Sequence, residues 1–260
     1  METEKTIAAN GIHINYAETG AGAPLILLHG GTAELHSFQD HLPAYAQHFR
    51  VIALDSRGHG KTDNSGGELS YAMMADDLAA FIRALNLKKP LILGYSDGGQ
   101  IALDLGMRYP DLAAALVLGG TLYVFKERYF DFLRMMGIEG SGVVNFNHMQ
   151  DFASDWIDYL KESHPRPDNP EYWKTLMQQI SVMWWKPLGY TLDDLKKITA
   201  PTLIFVGDRD AGIDLEQILE MYQTIPKAEL AVLPNADHGG ATNYLSGSLV
   251  MDFLLRHKDA

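Results

Sequence analysis

Six short stretches of this chain are apolar at nearly every position. They are Leu25–Leu28, Val51–Leu54, Leu91–Leu93, Ala115–Leu118, Thr202–Val206 and Glu229–Leu233. Nearly continuous apolar character over three to five residues predicts strands covered on both faces, as in a parallel sheet. Each run ends at a turn signal: His29-Gly30-Gly31, Asp55, Gly94, Gly119-Gly120, Gly207-Asp208 and Pro234.

Segments of helical period lie between the runs. Met74, Leu78, Ile82 and Leu85 recur three or four residues apart, which predicts a helix over 71–85. Ile101, Leu105 and Tyr109 predict another over 97–109, stopped by Pro110. Ile218, Leu219, Met221 and Tyr222 mark a third, ended near Pro226, and the last should cover about 243–257. Strands alternating with helices predict an α/β architecture with crossover connections. The stretch around Ile12–Tyr16 adds antiparallel edge strands.

The rhythm breaks from about 122 to 197, where there is no obvious buried strand. All four tryptophans, Trp156, Trp173, Trp184 and Trp185, fall in this stretch. Three or four helices fit, interrupted by His164-Pro165-Arg166-Pro167-Asp168-Asn169-Pro170. Such an insertion would lie over the carboxyl ends of the strands, where open α/β sheets bind ligands. The expected organisation is core at 1–121, helical cap at 122–197, and core again at 198–260.

Composition narrows the chemistry. There is no cysteine, which excludes disulfides, thiolate metal sites and a cysteine nucleophile. The formal charge of -12, with no cluster of Lys or Arg to offset it, argues against nucleic acid as a partner. There is no apolar run of membrane-spanning length. The polar start METEKTIAANG lacks the basic and apolar regions of a signal peptide, so a cytoplasmic protein is expected.

Gly94-Tyr95-Ser96-Asp97-Gly98-Gly99 is the sharpest local signal. A buried strand runs into it and a helix follows. Small neighbours permit a tight turn that exposes the Ser96 hydroxyl at a helix N-terminus. A serine needs a base to become nucleophilic. His238 follows the last strand in a glycine-rich loop. His36, His41 and His48 fall on or near a helix, His148 and His164 in the insertion. The base needs an orienting carboxylate, and Asp210 follows a strand. Asp208 is its local competitor, better suited to bonding the loop or Arg209, and Asp237 reads as a loop carboxylate. Each of Ser96, Asp210 and His238 lies just past the carboxyl end of a predicted strand. Backbone N–H groups of Asp97 and Gly31 are the candidate oxyanion hole, with Thr32 as alternative to Gly31. His29 is expected to brace that loop. Arg57 and His59, in Asp55-Ser56-Arg57-Gly58-His59-Gly60, should lock neighbouring loops together.

Taken together, His29-Gly30-Gly31, Asp55 to Gly60, Gly94 to Gly99, Gly207-Asp208-Arg209-Asp210 and Asp237-His238 resemble the α/β-hydrolase superfamily over nearly the whole chain. The resemblance implies an α/β-hydrolase fold. Its mostly parallel eight-stranded sheet would have an antiparallel second strand, with a helical cap after the sixth. It implies Ser96 as nucleophile, Asp210 as acid, His238 as base, and Gly31 and Asp97 amides as oxyanion hole, with no metal or organic cofactor. Ser-Asp-Gly-Gly departs from the commoner Ser-Met-Gly-Gly and is similar to biphenyl-hydrolase-like esterases, some of which act on amino-acid esters. The Asp97 side chain would either attract a cationic substrate group or face the protein, the latter being favoured. The expected activity is hydrolysis of a small-to-medium carboxylic ester. Lactone or carbon–carbon bond hydrolysis and cofactor-free haloperoxidase or perhydrolase chemistry could use the same triad. A non-catalytic small-ligand binding protein is the contrasting class.

Overall fold

The apolar runs become the inner strands of one sheet. The computed structural model describes residues 4–64 and 67–259. In chain order the elements are β1 (Lys5–Ala9), β2 (Ile12–Thr19), β3 (Ala23–Leu28), α1 (Leu42–Tyr45), β4 (Phe49–Leu54), α2 (Tyr71–Ala84), β5 (Leu91–Tyr95), α3 (Asp97–Arg108), β6 (Ala115–Gly119), α4 (Glu127–Met135), β7 (Ile138–Gly140), β8 (Val143–Val144), α5 (Phe146–Phe152), α6 (Ser154–Ser163), α7 (Tyr172–Trp184), α8 (Leu192–Leu195), β9 (Thr202–Gly207), α9 (Leu215–Thr224), β10 (Ala228–Leu233) and α10 (Ser248–His257).

Eight strands form the main sheet in the order β1-β2-β4-β3-β5-β6-β9-β10. β2 runs antiparallel to both β1 and β4, and every other pairing is parallel. This is the eight-stranded sheet, antiparallel at its second strand, that the resemblance implied. Leu28 pairs with Gly94, Gly94 with Leu118, and Leu118 with Ile204. The carboxyl ends of these strands therefore line up along one edge.

Alternation along the strands explains why they are apolar throughout. Ile26, Leu28, Ile92, Leu116 and Ile204 face one side and pack with Met74, Leu78 and Ile82 of α2 and Ile101 of α3. Leu25, Leu27, Leu93, Val117 and Phe205 face the other side, against Tyr45 and the Val250, Phe253 and Leu254 face of α10. α2 is capped by Ser70, whose hydroxyl accepts the Met73 N–H at 3.2 Å. α3 lies directly on the sheet. A Cβ at Gly98 would collide with the Leu28 carbonyl, and one at Gly94 with the Gly98 backbone.

Two expectations need adjustment. The stretch between β6 and β9 holds five helices, α4 to α8, where three or four were expected, and also the short antiparallel hairpin β7–β8, which forms a separate two-stranded sheet. Strands of three and two residues are too brief to leave a periodic signal. The last α-helix begins at Ser248, after Gly247 in extended conformation, while Gly240–Tyr244 form a separate 3-10 turn. Glycines at 239, 240 and 247 interrupt the helical run there. Among the described residues, no helix is long and apolar enough to cross a membrane.

Candidate active site

Ser96 sits between β5 and α3 with φ 54° and ψ -118°. A positive φ is uncommon outside glycine and marks a strained turn. The turn is held on both sides. Ser96 N–H donates to the Gly119 carbonyl at 2.8 Å, and Gln100 N–H donates to the Ser96 carbonyl at 2.9 Å. The hydroxyl is thereby aimed off the sheet edge.

The loops after β9 and β10 bring two partners to it. His238 Nε2 lies 3.0 Å from Ser96 Oγ, and His238 Nδ1 lies 2.6 Å from Asp210 Oδ2. The Asp210 side chain is 1% exposed, and its other oxygen accepts the Gly212 N–H at 3.1 Å. Tyr95 O–H donates to the His238 carbonyl and fixes that loop from below. Burial pulls the His238 imidazole towards the neutral form. The hydrogen bond and charge of Asp210, with Asp97 and Asp237 behind it, outweigh this and leave its pKa raised. In this geometry Nδ1–H is held by the carboxylate, and Nε2 is free to take a proton from Ser96 Oγ.

The rival carboxylates do other work. Asp208 accepts the Ala236 N–H at 3.3 Å and lies 3.8 Å from Arg209. Asp237 accepts the Gly240 N–H at 2.6 Å within its own loop.

The loop after β3 faces Ser96. Ala33 N–H donates to the Gly30 carbonyl at 3.2 Å, closing a turn in which Thr32 takes φ 67°. A Cβ at Gly30 would come within 3.3 Å of Ser96 Cβ. One at Gly31 would stand 2.6 Å from the Trp184 ring and closer still to the Asp97 carboxylate. Only glycine fits at 31. The backbone N–H groups of Gly31 and Asp97 donate to no group among the described residues. His29 braces the loop as expected. Its Nε2 accepts the Ser56 N–H at 3.0 Å, so Nδ1 carries the proton and donates to the Gly30 carbonyl at 2.7 Å. Arg57 forms a buried two-point ion pair with Asp77 on α2, at 2.7 and 2.6 Å. His59 Nδ1 lies 3.0 Å from the Arg57 carbonyl.

The Asp97 side chain faces protein donors. Tyr71 O–H donates to Oδ1 at 2.7 Å, and Trp184 Nε1 lies 2.9 Å from both carboxylate oxygens. Burial dominates these bonds and pushes the carboxyl up to about 6.

A cavity of about 600 Å³ opens above Ser96 and is lined in part by Phe125, Tyr129, Phe132, Leu133, Trp156 and Trp184. Two of the four tryptophans therefore face it, which the sequence alone did not distinguish. The formally charged residues in its lining are Asp40, Asp97 and Asp210, with no Lys or Arg among the described residues there.

Sequence reasoning also passed over His164, and no local pattern sets it apart. It is buried where the insertion meets the core. Its Nδ1 accepts the Gly60 N–H at 2.8 Å and its Nε2 donates to the Thr32 carbonyl at 2.9 Å. Burial lowers its pKa to about 4. Trp156 Nε1 donates to Thr32 Oγ1 at 3.0 Å, so two side chains of the insertion clamp the turn that carries Gly31.

Comparison with known proteins agrees with this architecture. A sequence profile of the alpha/beta hydrolase fold matches residues 23–136. The chain is 30% identical over 268 residues to a 2-hydroxy-6-oxo-2,4-heptadienoate hydrolase of Pseudomonas putida, covering 97% of this chain and 96% of that protein. It is 27% identical over 275 residues to a 2-hydroxy-6-oxo-6-(2'-aminophenyl)hexa-2,4-dienoic acid hydrolase of Metapseudomonas resinovorans, covering 98% and 92%. The crystal structure of a meta-cleavage product hydrolase from Pseudomonas fluorescens superposes with a TM-score of 0.79 at 25% identity, covering 97% of each chain. The chain is a hydrolase and belongs to the α/β-hydrolase family.

Proposed function

We propose that this protein hydrolyses small-to-medium, neutral carboxylic esters through an acyl intermediate on Ser96. The observation that carries this reading is the unbroken relay from Ser96 Oγ through His238 to Asp210, at 3.0 and 2.6 Å, at the floor of the cavity. His238 Nε2 takes the Ser96 proton as Oγ adds to the ester carbonyl. The backbone N–H groups of Gly31 and Asp97 receive the oxyanion. The imidazolium then gives its proton to the departing alkoxide, leaving the acyl group on Ser96. Water attacks the acyl-enzyme, loses its proton to His238, and releases the acid and free Ser96. Asp210 holds the ring through Nδ1 and stabilises the imidazolium. Residues 122–197 act as a cap whose aromatic side chains wall the pocket and exclude water.

A second reading is carbon–carbon bond hydrolysis, which the names of the Pseudomonas and Metapseudomonas relatives favour. The substrates in those names carry a carboxylate. The cavity here offers three aspartates and no Lys or Arg in its described lining, which favours a neutral substrate. Assaying p-nitrophenyl esters from acetate to decanoate beside 2-hydroxy-6-oxo-2,4-heptadienoate separates the two. The ester reading predicts that the best ester exceeds the dienoate in kcat/KM. Faster turnover of the dienoate would replace it with the carbon–carbon reading.

A further inference from the structure

Gln100 lies on the first turn of α3, four residues past Ser96, and lines the same cavity. A helical rise of 1.5 Å per residue puts its Cα about 6 Å further along the axis than that of Ser96. The residue is only 3% exposed. Leu122 N–H donates to its Oε1 at 2.6 Å, and this bond fixes which end of the amide is which. The other end, Nε2, is buried and has no partner among the described residues. A buried amide donor left without an acceptor is destabilising and rare in native proteins.

A second donor lines the same cavity. Tyr129 of α4 stacks on Phe125 with ring centroids 4.0 Å apart, and Phe125 meets Tyr71 edge-on at 6.4 Å. These contacts fix the Tyr129 ring, while no described residue bonds its hydroxyl. The nearby Asp97 carboxylate is already engaged by Tyr71 and Trp184. Leu122, Leu133 and Met136 contribute only apolar side chains to the lining. An amide N–H and a phenol in an apolar wall match a neutral hydrogen-bond acceptor. Asp97 and the lack of Lys or Arg in the described lining disfavour an anion, and the Gln100 amide offers a cation nothing.

We infer that Gln100 Nε2 and the Tyr129 hydroxyl form a second polar subsite, which selects esters carrying a neutral oxo group a few bonds from the scissile carbonyl. This deepens the ester-hydrolase reading and rests on it. The oxo oxygen accepts both hydrogen bonds, and no bond to it is made or broken in the reaction.

The test uses two ligands that differ only by an oxo group in place of a methylene, ethyl 4-oxopentanoate and ethyl pentanoate. Their affinities for the Ser96→Ala protein are measured by calorimetry. The same measurement is repeated after adding Gln100→Met or Tyr129→Phe. The readout is the ratio of the two affinities within each protein, so a general loosening of the site cancels. The oxo ester is expected to bind about tenfold more tightly, the scale of one well-made net hydrogen bond. The ratio should fall at least about threefold in each added variant. A ratio at or below one in the Ser96→Ala protein overturns the subsite. A ratio left unchanged by one added variant overturns that donor's part in it. Turnover of p-nitrophenyl pentanoate by the native protein is read separately. Turnover with an affinity ratio of one keeps the hydrolase reading and removes the subsite. An oxo preference in binding without any ester turnover does the reverse.

Discussion

Trp184 Nε1 lies 2.9 Å from both carboxylate oxygens of Asp97, so a side chain of α7 is bonded to the residue that follows Ser96. The insertion is therefore fixed to the turn that carries Ser96. Trp184→Phe keeps most of the ring and removes the donor, leaving a buried carboxylate with Tyr71 alone. Stability should drop by about 1–3 kcal/mol in urea unfolding. Ester kcat/KM should fall about tenfold, because the Asp97 N–H loses part of its positioning. Unchanged values for both would show that the contact positions nothing.

Asp97 itself gives a signed pH prediction. Burial raises its carboxyl from 3.8 to about 6 in the folded protein. Between those values the folded state holds more proton than the unfolded chain, so this group's contribution to stability is lost as pH rises through about 6. Asp97→Asn removes the titration. Relative to the native protein, its stability should improve between pH 4 and pH 7, by up to about 3 kcal/mol. Thermal melts across that range check this, and a difference that stays constant with pH would contradict it.

His164 acts in the opposite direction. Burial lowers its pKa from 6.5 to about 4, despite its bond to Thr32 and the nearby Asp55 charge. The unfolded chain holds more proton between those values, so this contribution disappears as pH falls from about 6.5 towards 4. The protonated ring could no longer accept the Gly60 N–H. His164→Gln keeps an acceptor and a donor without the titration. It should flatten the acid side of the stability profile by up to about 3 kcal/mol. The check is urea unfolding at several pH values, and an unchanged acid slope would count against the assignment.

The frame of this site was legible in the sequence because it is local. Ser96, Asp210 and His238 each follow an apolar run, and parallel strands in register carry their ends to one edge. The glycines around Ser96 announced the turn, and Asp208 was set apart from Asp210 by its expected bonds to the loop and to Arg209. What stayed hidden depends on packing between distant segments. Trp184 meets Asp97 across 87 positions, and His164 meets Thr32 across 132. Nothing around either partner marks the other. Gln100 carries no local signal either, because only packing against Leu122 makes its two amide ends differ. The β7–β8 hairpin escaped notice because two- and three-residue strands carry no period.

The rate should report His238 directly. As the base it must be neutral at Nε2, and its pKa is held above the ordinary 6.5 mainly by Asp210, against burial. Ester kcat/KM should rise with pH through an apparent pKa above 6.5. Asp210→Asn should shift that limb downward and slow the reaction by a factor on the order of 10² or more. A pH-independent rate from pH 5 to 8 would exclude His238 as the base.

The central claim is that Ser96 carries the acyl group. The most direct measurement compares native protein with Ser96→Ala on p-nitrophenyl esters, with the folded state of the variant checked by its melting curve. The account predicts turnover by the native protein and a loss on the order of 10³ or more in a variant that still folds. Turnover that survives the substitution unchanged would contradict it.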